Sequence, residues 1–155
     1  MAKFKFTELV TEGGSLTARL GTAGVANRYD DKEIGKAVKL SGDSAYVLAS
    51  AGDLIEAFVR SMEGASLDDF SIGTVQTKDY KSVVLDGEQA TPGTGDIAIG
   101  EYVVVGTMVA KGTALTGDQK VCQATSQTVA MHNWRLVSAS GTAVGSTGVI
   151  ERVGH

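Results

Sequence analysis

Short apolar runs separated by turn residues set the rhythm of this chain. Ala37–Leu40 and Ala45–Leu48 flank Ser41-Gly42-Asp43-Ser44, a pattern that predicts a hairpin closed by a four-residue turn. Phe70–Thr77 and Ser82–Leu85 follow as β-prone runs, the second closing at Asp86-Gly87. The stretch from Glu88 to Asp96 is polar and glycine-rich and reads as the longest interior loop. Glu101–Ala110, with its valines, is the strongest strand signal. Lys120–Ala124, Asn133–Ser138 and Val149–Val153 complete the set, the last two separated by a Gly/Ser/Thr-rich loop from Ala139 to Gly148. Strands at this spacing predict an all-β fold, a small antiparallel barrel or sandwich.

One segment carries two patterns. In Asp53–Met62, apolar Leu54, Ile55, Phe58, Val59 and Met62 fall at helical spacing, and Asp53 with Glu56 has the form of a capping box. A short helix alone among strands is poorly supported, so the segment is assigned as strand.

Residues 1–28 differ from the rest and are assigned as an extended N-terminal arm, with 29–155 as a single β-rich domain. Gly13, Gly14, Gly21 and Gly24 break up scattered apolar residues, while Phe4, Phe6, Leu9 and Val10 are apolar enough to demand burial. Two placements are open. The segment docks as a strand on its own domain, or it packs on a neighbouring subunit or partner by adding a strand or filling a groove.

Composition narrows the function classes. The 155 residues suit one domain able to fold without metal or disulfide staples. Twenty glycines against a single proline, Pro92, indicate many tight turns rather than a disordered linker. The formal net charge of −4 argues against a nucleic-acid partner, which requires a positive field, and against an anionic membrane surface. No apolar run is long enough to span a bilayer as a helix, and Met1–Thr7 has the form of neither a signal nor a transit peptide. The chain is therefore expected to be made in the cytoplasm. Its lone cysteine, Cys122, can form no internal disulfide and sits in a strand-like run, where a thiol behaves as a small hydrophobe.

Candidate chemistry is sparse. His155 is the last residue, and His132 has no Cys, Asp or Glu at metal-ligand spacing. Asp30-Asp31 and Asp68-Asp69 lie in turn-like contexts, where solvated carboxylates are the default; acid–base catalysis needs two carboxylates in different environments across a cleft. Gly93-Thr94-Gly95-Asp96-Ile97-Ala98 has the dinucleotide spacing without the strand before it or the helix after it. Gly145-Ser146-Thr147-Gly148 resembles the C-terminal phosphate-wrapping segment of trimeric dUTPases. It lacks the arginine just upstream and the Phe between glycines, and Val149–Val153 continues as a strand where that family has a flexible tail. No cofactor, no metal and no catalytic residue are assigned. Trp134, the one tryptophan, reads as core rather than as an interface anchor.

Four stretches carry a wider likeness. They are Tyr29–Leu40, Gly52–Glu63, Phe70–Gln76, and Asn133–Ser138 through Gly148–Val153. In their order and spacing they resemble a family of small tailed-phage head proteins, the capsid decoration (cement) proteins. Ala57 stands where that pattern often has Gly. The resemblance implies a structural virion protein, not an enzyme, on the capsid exterior, with the major capsid protein and neighbouring copies of itself as partners. Phe4, Phe6, Leu9 and Val10 are then the expected contact residues. A head–tail connector or tail-tube subunit is the alternative within the virion.

Overall fold

The structure, a computed structural model, describes residues 15–42, 44–65 and 69–153. Among the described residues eleven strands, β1 Ser15–Leu20, β2 Ala37–Leu40, β3 Tyr46–Leu48, β4 Ala57–Ala65, β5 Ser71–Gln76, β6 Tyr80–Glu88, β7 Thr91–Pro92, β8 Tyr102–Val105, β9 Lys120–Gln123, β10 Trp134–Ala139 and β11 Thr147–Arg152, build two sheets, each closed into a barrel of five strands. The first runs β1-β3-β2-β4-β5 and closes through β5 onto β1. The second runs β6-β9-β8-β10-β11 and closes through β11 onto β6, with β7 appended as a short hairpin arm of β6. The fold is all-β and of barrel type, as the spacing of apolar runs predicts.

The two barrels share one topology. In each, the first strand lies parallel to the third and every other pairing is antiparallel. The register repeats residue for residue. Leu20 pairs with Tyr46 as Leu85 pairs with Val121. Val38 sits between Leu48 and Ala57 as Val103 sits between Gln123 and Trp134. Even the irregularities recur: β4 bulges between Val59 and Ser61, and β10 between Leu136 and Ser138. One pair beyond each bulge stands a glycine, Gly73 across from Met62 and Gly148 across from Ala139, packed so closely that a Cβ would meet the Ser61 carbonyl oxygen at 2.2 Å or Leu136 Cδ1 at 2.8 Å. The chain is thus a tandem structural repeat, 15–76 followed by 80–152.

Core positions obey the same correspondence. Leu20, Val38, Tyr46, Ala57, Val59 and Val75 fill the first barrel; their counterparts Leu85, Val103, Val121, Trp134, Leu136 and Ile150 fill the second. Alternation along the strands delivers these side chains inward, as in β5, where Ser71, Gly73 and Val75 are buried and Ile72, Thr74 and Gln76 are partly exposed. In β8 the valines are buried on both faces, because Val104 packs outside the barrel with Cys122, Ala124 and Ala130 of the short helix Gln127–Ala130.

The barrels are fused, not merely tethered. Ala37, Ala49, Ile55 and Phe58 belong to the same buried cluster as the core of the second barrel, and the Phe58 ring meets Trp134 edge-on at 5.2 Å between centroids. Backbone bonds cross the junction: Gly52 N–H donates to the Val105 carbonyl at 2.8 Å, and Val105 N–H to Asp53 at 3.0 Å. The β8–β9 loop, much longer than its β2–β3 counterpart, straps back over the first barrel. There a fully buried Lys36–Glu33 pair (3.2 Å) holds it, Lys36 Nζ donating to the Ala110 carbonyl at 2.9 Å and Gly112 N–H donating to Glu33 Oε1 at 2.7 Å. Burying this pair is tolerable only because the strap supplies those further hydrogen bonds.

Several expectations need revision. Ser15–Leu20, placed in the arm of residues 1–28, is a barrel strand paired on both sides, since Leu16, Ala18 and Leu20 alternate toward the core. The domain starting at residue 29 therefore begins earlier, and it comprises two barrels. The Glu101–Ala110 strand ends at Val105, where Thr107 turns away by donating its N–H and hydroxyl to the buried Asp86 carboxylate. The strand assignment of Asp53–Met62, by contrast, holds from Ala57, where β4 begins; ahead of it Asp53 accepts from Ser50 N–H and pairs with Lys39 at 2.6 Å.

Candidate functional surface

The residues expected to make contacts, Phe4, Phe6, Leu9 and Val10, lie outside the described residues. Unpaired strand edges, the other adhesive element that an open sandwich would offer, are not what the fold presents. Each five-stranded barrel closes on itself, which removes its edges. The appended β7 has a free side, but it is two residues long and Pro92 carries no N–H.

The candidate chemical groups are used structurally. Cys122 is buried, its Sγ 3.6 Å from the Asp86 carbonyl oxygen, and burial, reinforced by the Asp86 carboxylate, pushes its thiol pKa up to about 12. A thiolate, the reactive form, is therefore disfavoured there. His132 lies exposed in the turn after the short helix. Asp30 caps the 3-10 turn Asp31–Glu33, and the Lys32 N–H that it accepts holds its carboxyl below the usual range. Asp69 pairs with Arg28 at 2.8 Å on the surface. Among the described residues no three His, Cys, Asp or Glu side chains cluster as a metal site would require.

Both glycine-rich segments serve the backbone. Gly145 N–H donates to the Leu85 carbonyl, Ser146 N–H to Ala143 and Thr147 N–H to Ser140 Oγ, so these amides do not converge on a phosphate. In Gly93–Ala98, Gly93 N–H donates to Asp86 within the β6–β7 hairpin, and no helix follows. Trp134 is fully buried, as its core reading requires, although its Nε1 has no hydrogen-bond partner.

What remains is surface. One depression, about 520 Å³, is open, with Arg28, Asp30, Asp31 and Lys32 beside Tyr29, Gly64 and Ala65 in its lining; another, about 210 Å³, lies over the second bulge between Ser82, Asp118, Ser138 and Thr147. Neither encloses an apolar ligand. Apolar side chains that do reach solvent include Leu40 at the end of β2, Val129 and Met131 at the short helix, and Ile34 and Ile99, which hold equivalent places in the two repeats. The sequence reading missed these, because nothing local in the sequence distinguishes an exposed apolar residue from a buried one.

No helix among the described residues is long and apolar enough to cross a membrane. Compared with protein-family models, curated proteins and solved structures, the chain matches none. The fold and its surface define a double β-barrel, each barrel closed on itself, with a few apolar side chains exposed to solvent.

Proposed function

We propose that this chain is a structural virion protein that binds the outer surface of a phage capsid and stabilises the mature head by bridging major capsid protein subunits. The observation that carries the reading is the pairing of a closed double barrel with a sequence ahead of β1 that holds Phe4, Phe6, Leu9 and Val10, in a chain with four stretches that resemble capsid decoration proteins. A protein that binds only the expanded shell stabilises it by mass action, as any ligand of a native state does. Modest contacts suffice, because many copies on one lattice add avidity. Barrel closure supports the role, since edge-free bodies crowded side by side do not pair strands indiscriminately. Phe4, Phe6, Leu9 and Val10 supply the contacts to the shell, and no catalytic group is required.

The test is a truncation placed by the fold. Removing residues 2–14 keeps every residue of β1 and of both barrels, and the shortened protein is expected to melt like the parent while failing to co-sediment with expanded capsids. Undiminished co-sedimentation would exclude the segment as the adhesive element. Removal of 2–28 is uninformative by comparison, because it takes β1 out of the first barrel.

A further inference from the structure

The tandem repeat lets one barrel report on the other. In the second barrel, β8 runs beyond its pairing with β10, and the connection between β3 and β4 of the first barrel plugs the gap. Val105 exchanges two backbone bonds with Gly52 and Asp53, and its side chain is 1% exposed. The counterpart of Val105 in the first barrel is Leu40, which pairs with Tyr46 as Val105 pairs with Val121. Leu40 is 52% exposed. Its N–H donates to the Glu56 carboxylate, a side chain taking the part that the Asp53 carbonyl plays at Val105. The side chain at this position is therefore covered by a neighbouring connection in one repeat and left half exposed in the other.

The connection that supplies the plug has a counterpart too, folded differently, with a short helix whose Ala130 is buried against Val104 and Cys122 of its own barrel. In the second repeat, the connection equivalent to Ala49–Glu56 is Ala124–Asn133, joining β9 to β10. It has no further barrel to enter. Where the first connection buries Ile55, the second carries Val129 at 64% exposure and Met131 at 40%. Isolated exposed apolar residues are ordinary. Here, however, they lie on the counterparts of the two segments that form the barrel-to-barrel contact inside the molecule.

We propose that the Leu40 socket of one molecule receives the Val129–Met131 segment of a second copy, continuing the internal barrel-to-barrel contact from molecule to molecule. Such a contact is heterologous, so it builds rings or open chains rather than closed twofold dimers. It is weaker than the internal one. Phe58, which anchors the internal junction against Trp134, corresponds by register to Arg135, and Arg135 is committed to Glu151 at the surface. The contact needs only this chain, and it adds to capsid binding the surface by which neighbouring copies meet.

Sedimentation velocity of the full chain over a wide concentration range tests it, with the variants Leu40→Asp, Val129→Asp and Met131→Asp checked by thermal melting for intact folds. The parent is expected to associate progressively with concentration. Each variant stays monomeric, having lost one half of the contact. A mixture of Leu40→Asp with Val129→Asp forms dimers and nothing larger, because each variant keeps the half that the other lacks. A parent that is monomeric throughout, variants that associate like the parent, or a mixture that stays monomeric would each overturn the proposal. None of these results depends on whether the truncated protein binds capsids.

Discussion

Phe58→Ala probes the fusion of the two barrels more sharply than any other single change. Phe58 is 1% exposed, stands edge-on to Trp134 at 5.2 Å and has Lys81 Nζ 5.6 Å from its ring centroid. It belongs to the first barrel by sequence and to the core of the second by packing. Truncating a buried Phe typically costs about 3–5 kcal/mol through lost transfer energy and the cavity left behind. The edge-on pair, itself worth roughly 0.5–1.5 kcal/mol, and the inability of a closed barrel to collapse inward place the expected loss at about 4 kcal/mol. For a chain of this length that corresponds to a fall in Tm of about 10 °C. Arg135→Ala is the matched control, because Arg135 holds the equivalent register in the second barrel but forms a partly exposed ion pair with Glu151. Its loss should leave the unfolding midpoint close to the parent's, because an exposed ion pair contributes little. Urea unfolding followed by tryptophan fluorescence and far-UV circular dichroism reads both quantities. A common core predicts coincident transitions by the two probes, shifted together in Phe58→Ala. A cost below about 1 kcal/mol, or separate transitions for the two probes, would refute the shared core.

Three further outcomes follow from the same geometry. Lys36→Met alone strands the Glu33 carboxylate in the interior and should cost about 3–5 kcal/mol, whereas Lys36→Met with Glu33→Leu should recover much of it; chemical denaturation of both variants checks the sign. Gly148→Ala and Gly73→Ala each force a methyl into an occupied space and should lose about 1–3 kcal/mol, while Gly117→Ala, with nothing within 4 Å, should melt like the parent. Cys122 should resist maleimide at pH 8 in the folded protein and react on unfolding. With its folded pKa raised to about 12, the stability it contributes is complete below the unfolded thiol pKa near 9 and is lost as pH rises toward 12, so a Cys122→Val protein should decline less across that window.

The all-β class was legible because glycine-bounded apolar runs are local signals: the β2–β3 hairpin, β5 and β9 lie within a residue or two of where the runs place them. β4 was legible only by weighing its neighbours, because Leu54, Ile55, Phe58, Val59 and Met62 satisfy a helical period equally well, and the choice is made by Phe58 reaching the other barrel. β1 went unread although Leu16, Ala18 and Leu20 alternate, since flanking glycines obscured so short a pattern. The duplication was the largest omission. It survives in sequence as little more than Gly35 and Gly100 ahead of β2 and β8, and Ser71-Ile72-Gly73 against Ser146-Thr147-Gly148. Barrel interiors accept any apolar set of suitable volume, and Ala57 answers to Trp134, so register outlasts residue identity. Surface function is the least legible. Leu40 and Val105 look alike in sequence, and only the chain packed against one of them tells them apart.

Capsid attachment is most directly tested by the amount of this protein in purified virions, measured by quantitative mass spectrometry against the major capsid protein. Attachment to the outer lattice predicts a fixed, lattice-scale ratio of the two and release of the protein without loss of the shell. A protein missing from the particle, or present at only the few copies of a connector, would contradict it.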